Sequence, residues 1–403
     1  MLETIYTSTT GLQTFSKGLD VISNNVTNVN TVGYKATGLV YRDIHYNFSL
    51  QDQRQDTLYG THIGHGVAAD ITSTLFNQGD LRQTGNDTDV AISGRGFFVI
   101  EQEDGYVYSR NGQFEFNNDG DLVTRDGGQR VMGLTESGAL QAINQNPYKA
   151  QPAVMTSKVS LAGNLSTGST TATTANVPII DSLGGTHAFT ITYTLDTTNP
   201  VDRAWKVRVT DENQAEVATG TINFQPNGSP AEGKNTLKFD YQASGATKQS
   251  VTLNFGDAGS FSNVTSFSGG STSNVTVGTS DGRPQGSLLT LSFDEDGKLL
   301  AKYSNQQTET GTQLALADFD NLQALQQLGR GLFHAQTTQQ ALIGAPGKNA
   351  FGKITAGSVE SSNIDLSTQF TDMIVVQRGY QASSQVLTVA NEMLQQLLEG
   401  GRK

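Results

Sequence analysis

No cysteine occurs among the 403 residues, which excludes disulfides, iron–sulfur clusters and thiol catalysis. Charge is sparse as well: Asp, Glu, Lys and Arg make up 16% of the chain, against about 25% in an ordinary soluble protein. What charge there is runs acidic, with 26 Lys+Arg against 38 Asp+Glu for a net −12. That argues against a general nucleic-acid binder, which needs basic surface to neutralise phosphates. No apolar run approaches the roughly 18 residues of a membrane span, so no membrane insertion is expected. The opening Met1-Leu2-Glu3-Thr4-Ile5-Tyr6 has no basic segment followed by an apolar core, so no ordinary cleaved signal peptide is expected either. What fills the chain instead is 44 Gly and abundant Ser, Thr, Asn and Gln, over a length that suits two or three domains.

The two ends differ from everything between them. Ile5, Leu12, Leu19 and Val26 recur every seven residues, and Ser8, Phe15, Ile22 and Val29 follow each by three. This a/d pattern predicts a helix about 37 Å long, stopped near Asn30 and Gly33. At the other end Leu366, Met373, Tyr380, Leu387 and Leu394 repeat by seven, with Val376, Ser383, Ala390 and Leu397 as companions. Ser362-Asn363-Ile364-Asp365 reads as the capped start of that helix, and Gly400-Gly401 as its end. A narrow apolar stripe stabilises a helix only against a partner, and the simplest partner for each helix is the other, within one domain. A second stripe of Gly11, Gly18 and Asn25, with Gly379 in the second helix, favours an intermolecular packing surface over a hairpin closed within one domain. An interior Gly costs about 1 kcal/mol relative to Ala, a cost that makes sense where another backbone approaches closely.

The middle, from about Tyr34 to Glu360, reads as β. Runs such as Phe97-Phe98-Val99-Ile100, Phe189-Thr190-Ile191-Thr192-Tyr193 and Lys206-Val207-Arg208-Val209 are β-branched or aromatic. Turn formers separate them, among them Asn118-Asp119-Gly120, Asn227-Gly228 and Asp296-Gly297. Ser/Thr/Gly-rich stretches at 166–175 and 266–280 bracket what reads as an inserted β domain, and the polar residues 46–75 read as an extended connector. The expected fold is mixed and mainly β. A discontinuous α-helical coiled-coil domain (1–45 with 360–403) is joined by that connector to an inner β domain (76–153 with 285–359). The insert (154–284) is an outer, sandwich- or barrel-like β domain.

Signs of catalysis are thin. Gly278-Thr279-Ser280-Asp281-Gly282 matches the nucleophile-elbow pattern, but Arg283-Pro284-Gln285-Gly286 follows where a helix is required. His62-Ile63-Gly64-His65 has no nearby acid or thiol to complete a compact metal site and reads as a solvated loop. Asp294-Glu295-Asp296-Gly297 opens like an EF-hand, yet its twelfth position is Asn305 rather than Glu, so a hairpin turn is expected. No enzyme activity, cofactor or metal is expected.

Several segments carry a family likeness. Asn24-Asn25-Val26-Thr27-Asn28 with Thr31-Val32-Gly33-Tyr34-Lys35 resembles the N-terminal signature of the bacterial flagellar rod and hook axial proteins. Gly79-Asp80-Leu81-Arg82-Gln83-Thr84-Gly85-Asn86, Asp89-Val90-Ala91-Ile92 and Gly94-Arg95-Gly96-Phe97-Phe98-Val99 are similar to their β-domain motif, as is Ser109-Arg110-Asn111-Gly112-Gln113-Phe114. Val359-Glu360-Ser361-Ser362-Asn363-Ile364-Asp365-Leu366 and Gln377-Arg378-Gly379-Tyr380-Gln381-Ala382 complete the series in order. Length and the insert near position 150 resemble the hook-type members rather than the shorter rod-type ones.

The resemblance implies a structural subunit that self-assembles into a tubular, flexible universal joint carrying torque from rod to filament. It implies type III export to an extracellular place in the flagellum, with a hook cap, rod and junction proteins and a length ruler as partners. A distal rod-type protein is the same-family alternative; a secreted β-rich adhesin would account for the Thr/Gly-rich middle but not for the paired heptad ends. The expected self-assembly residues are Ile5, Gly11, Leu12, Phe15, Gly18, Leu19, Ile22, Asn25, Val26 and Asn28, with Leu366, Met373, Val376, Tyr380, Leu387, Leu394 and Leu397. Of these, Leu12, Leu19, Ile22, Tyr380, Leu387 and Leu394 are expected to form the inner core of the assembly.

Overall fold

The computed structural model describes residues 2–44, 46–50, 60–103, 105–197, 203–336 and 340–400. The chain is helical at both ends and β between them. Helix α1 (Leu2–Thr27) and helix α2 (Leu366–Gly400) occupy the two heptad regions. At the start of α2 the Asp365 carboxylate accepts the Ser367 N–H at 2.8 Å and the Thr368 hydroxyl at 3.1 Å. Those bonds, the backbone one first, hold its pKa below the usual carboxylate range. Asn363 lies just outside the cap and does different work. Its Oδ1 accepts the Ala36 N–H at 2.8 Å, and its Nδ2 donates to the Leu75 and Asn77 carbonyls, tying the root of α2 to the chain that follows α1.

The chain divides into two compact units, one of Met1–Asn146, Leu291–Leu300 and Thr310–Lys403, the other of Pro147–Thr290 and Ala301–Glu309. In the first, six strands pair in the order 325–329, 332–335, 105–109, 97–102, 316–318 and 342–344. Phe97, Tyr108, Phe319 and Phe333 fill the core on this sheet. They meet edge to face, Tyr108 and Phe319 with ring centroids 4.7 Å apart, the arrangement aromatic quadrupoles favour.

The second unit holds a four-stranded antiparallel meander (171–180, 186–195, 204–210, 216–223) and a second sheet in which 158–164 pairs with 249–254, 264–265 and 276–280. Period-2 alternation puts Phe189, Ile191 and Tyr193 of one strand, and Trp205, Val207 and Val209 of the next, on the same inner face. Val159, Leu161, Val251 and Leu253 of the second sheet join them in one core, so the unit is a two-sheet sandwich. On its surface His187 bridges two carboxylates, Nε2 to Asp181 and Nδ1 to Glu212, each at 2.9 Å.

Residues 46–75 depart from the extended connector read from the sequence. Thr37–Asp43 pairs antiparallel with Val67–Thr74, and Tyr46–Leu50 with Gly60–Gly64; residues 51–59 lie outside the described ones. Thr, Ser and Gly give these strands little hydrophobic contrast between faces, so no period-2 signal marks them. Among the described residues no helix is long and apolar enough to cross a membrane.

Candidate assembly surface

The helices run antiparallel against each other. A Cβ on Gly11 would stand 2.9 Å from Ser383 Oγ, and one on Gly18 would stand 3.3 Å from Val376 Cγ1. The Asn25 amide donates to Gln369 Oε1 at 3.0 Å. Each step of seven up α1 is thus a step of seven down α2. Gly379 completes the fit, because a Cβ there would stand 2.7 Å from the Phe15 ring. The Gly11/Gly18/Asn25 stripe is therefore the contact with α2 inside the chain. This corrects the intermolecular role expected of it, because the two helices of one chain already make the close approach the glycines allow. Ser8, Phe15 and Ile22 alternate with it along the seam, Ser8 and Ile22 buried.

This corrects the seam read from heptads. Ile5, Leu12, Leu19 and Val26 lie beside the contact, half-buried. The two small residues bring the backbones close, and closeness decided the interface where hydrophobicity alone would have chosen the leucines. On α2, Val376 and Ala390 are buried and Met373, Leu387 and Leu394 half-buried, whereas Leu366, Tyr380 and Leu397 are exposed.

Asn25 is the polar key of this packing. It is 2% exposed; its Nδ2 also donates to the Thr37 carbonyl at 2.8 Å, and its Oδ1 accepts from the Thr37 N–H and the Tyr34 hydroxyl. Every donor it has is used, as burial demands. Asn28, by contrast, is spent on the end of its own helix: Nδ2 donates to Asn24, and Oδ1 accepts from Thr31.

Below the helices sits an ionic cluster that the heptad analysis missed. Lys35 Nζ lies 2.5 Å from Glu360 Oε1 with both side chains fully buried, and Arg110 reaches Glu360 Oε2 at 3.3 Å. The Gly79 N–H also donates to Glu360 Oε1, Lys35 to the Asn77 carbonyl, and Arg110 to the Gly94 carbonyl. Burial pulls the Lys35 ammonium below its ordinary pKa, against the opposing attraction of Glu360. Lys35, Gly79, Gly94, Arg110 and Glu360 each come from one of the family-like segments, so those motifs converge on one carboxylate. The available signal was the presence of charge inside motifs of a charge-poor chain.

The remaining motifs are structural. Ser280 ends a strand (Thr276–Ser280) and its hydroxyl accepts the Gly282 N–H, while the Asp281 carboxylate accepts the Ser157 and Lys158 amides. Asp294 closes a turn by accepting the Lys298 N–H at 2.7 Å. His62 falls in a strand (Gly60–Gly64) rather than a solvated loop, its side chain outside the described ones, and His65 Nδ1 lies 3.3 Å from Glu3. Among the described residues no cluster of three or more His, Cys, Asp or Glu could hold a metal.

Beside the α1 contact, a second face of α2 is left exposed among the described residues. Val375, Val386, Val389 and Met393 are exposed, as is Ala382. They form a second a/d row spaced alternately by four and three, whose remaining position, Gly379, borders the α1 contact at Phe15. This six-position row was not read from the sequence, because the seam beside it is richer in Leu.

Comparison with known proteins agrees with these features. Residues 5–35 match the family described as flagella basal body rod protein, 91–157 the flagellar hook protein FlgE/F/G D1 domain, and 355–399 the flagellar basal body rod FlgEFG protein C-terminal family. The flagellar hook protein FlgE of Escherichia coli is 30% identical over 96% of this chain and 97% of its own length. That of Treponema pallidum is 29% identical over 99% of both. A crystal structure of Helicobacter pylori FlgE2 aligns with 70% of this chain and 100% of that one at 14% identity and a TM-score of 0.49. The family assignment rests on the full-length sequence relatives. With 30% identity spanning nearly the whole of both chains, this chain belongs to the flagellar hook protein family and is a structural subunit of the hook.

Proposed function

We propose that the subunit polymerises with copies of itself through the outer seam of α2, the half-exposed stripe of Ile5, Leu12, Leu19 and Val26 on α1 supplying the complementary face. The observation that carries this reading is the second heptad seam. A helix already paired along one face presents a continuous apolar row along another, with Val389 51% exposed. Rows of this kind are stable in water only when covered. Packing of such helices between neighbours would close a tube. A tube that bends while turning needs contacts that can be exchanged. The Ser, Thr, Asn and Gln of this charge-poor chain suit that, because polar contacts re-form through water. Under this reading the hook is a universal joint outside the cell, built after export of an unfolded chain that no disulfide can lock. The rod, hook cap, junction proteins, length ruler and type III export apparatus are its partners.

Electron microscopy after salt-induced polymerisation tests the reading. The wild-type chain is expected to form curved tubes. Val389→Asp is expected to remain monomeric while its unfolding free energy stays within about 0.5 kcal/mol of wild type. Tubes from Val389→Asp at wild-type yield would remove the seam from the interface.

A further inference from the structure

A second pair of apolar features lies at opposite ends of α2. Between α1, the Thr37–Asp43/Val67–Thr74 hairpin and the first turns of α2 is a cavity of about 700 Å³. Phe15, Val21, Leu39, Val67, Leu75 and Val375 line it, with Asp372 among its few polar groups. At the far end of α2, Leu397 and Leu398 are 58% and 73% exposed. Continuing the antiparallel register places Leu2 opposite Glu392, so the turns that carry these leucines have no α1 residue beside them among the described ones.

We infer that the Leu397–Leu398 tip of one subunit seats in this cavity of the next. Twenty-three residues separate Val375 from Leu398, about 35 Å of helix, so a subunit cannot fill its own cavity with its own tip. A copy in the same orientation, advanced by about that distance along α2, brings the two features level. At about 30 Å³ for each water-sized group, the eight side-chain carbons of two leucines occupy about a third of the space, leaving room for the turn that bears them. Patch and pocket are different surfaces of one molecule, so the contact is heterologous, and with each copy advanced along α2 in the same orientation it repeats without closing. That geometry yields an open polar filament, which is what a hook subunit builds. The contact is also continuous with the proposed outer seam, since Val375 borders the cavity and Met393 lies one turn before the tip. The inference rests on the polymer reading above and adds its axial contact.

The absence of native cysteine makes the test direct. Leu39→Cys with Leu398→Cys leaves two thiols per subunit and no others. Tubes of this variant, mildly oxidised, are expected to run as a ladder of dimers, trimers and higher species on non-reducing gels, collapsing to monomer on reduction. Tubes of either single variant are expected to give monomer. Should the double variant assemble poorly, the two single variants mixed into excess wild-type chain are expected to give one dimer band. Wild-type tubes with no cross-link in either format overturn the axial contact and leave the polymer reading intact. A dimer from Leu398→Cys alone means that tips meet tips, and overturns it too. Absence of tubes from the wild-type chain overturns both. As a second readout, Leu398→Asp is expected to raise the critical concentration for assembly at least tenfold with monomer unfolding unchanged; an unchanged critical concentration also overturns the contact.

Discussion

The paired helices and the second β unit bury their apolar groups in opposite ways. In the second unit Trp205, Phe189, Ile191, Val251 and Leu253 sit in one closed core, although Met155, Leu183, Phe261, Phe267 and Leu289 stay exposed outside it. Along α2 only Val376 and Ala390 are buried among the apolar residues, while Phe370, Ile374, Val375, Val386, Val389, Met393, Leu397 and Leu398 are exposed. A sandwich closes its core by itself because both inner faces belong to one chain. A helix pair closes one seam and leaves the rest of each cylinder uncovered. The second unit's core is thus closed within the chain, whereas under the proposed reading the helices are covered only in an assembly.

Three changes sharpen this contrast, in order of effect. Glu360→Ala strips the shared partner from buried Lys35 and Arg110. Breaking a buried pair in this way costs about 3–5 kcal/mol. Denaturant unfolding is expected to show that loss in the first unit while the second unfolds as in wild type; a shift confined to the second unit would refute the separation. Asn25→Ala leaves the Thr37 N–H and carbonyl without partners and should cost about 1–3 kcal/mol. Hydrogen exchange is expected to speed up in α1 and α2 and in Thr37, with the second unit unaffected.

The smallest effect concerns His187. Its hydrogen bond to Glu212, opposed by burial and reinforced by Asp181, raises its pKa above the ordinary value; Asp181 is held below its own chiefly by that imidazole. The raised His pKa means its contribution is full below about pH 6.5 and lost as pH climbs through the folded value. The lowered Asp pKa means the opposite at the acid end: full above about pH 4, lost as pH falls through the folded value. This pair is therefore expected to stabilise the second unit most between about pH 4 and 6.5. The unit is expected to lose less than about 1 kcal/mol as pH rises through the folded His187 value, a modest figure because Glu212 is half exposed. His187→Gln should flatten that slope in thermal unfolding, and an unchanged slope would assign it elsewhere.

Much of this architecture was legible one residue at a time. Heptad spacing marks both helices, Asp365 marks where α2 begins, and alternation in Phe189-Thr190-Ile191-Thr192-Tyr193 marks a half-buried strand. These signals are local, because helix and strand periods are properties of a short stretch of chain. The family-like motifs were legible too, as a series in order along the chain.

Partnership was decided only in three dimensions. That Gly11 and Gly18, rather than Leu12 and Leu19, meet α2 depends on how closely two backbones can approach, which no stripe of one helix reveals. The strands of 46–75 exist because they pair, and nothing in their own pattern announces it. Lys35 and Glu360 stand 325 positions apart, and only a fold that brings both ends of the chain to one place makes their charges tolerable out of water. Sequence by itself determined the two helices and the strands that alternate clearly, since those choices are settled among near neighbours. Tertiary structure decided which faces are spent inside the subunit and which remain for the next one, because burial is a property of the contact and not of the residue.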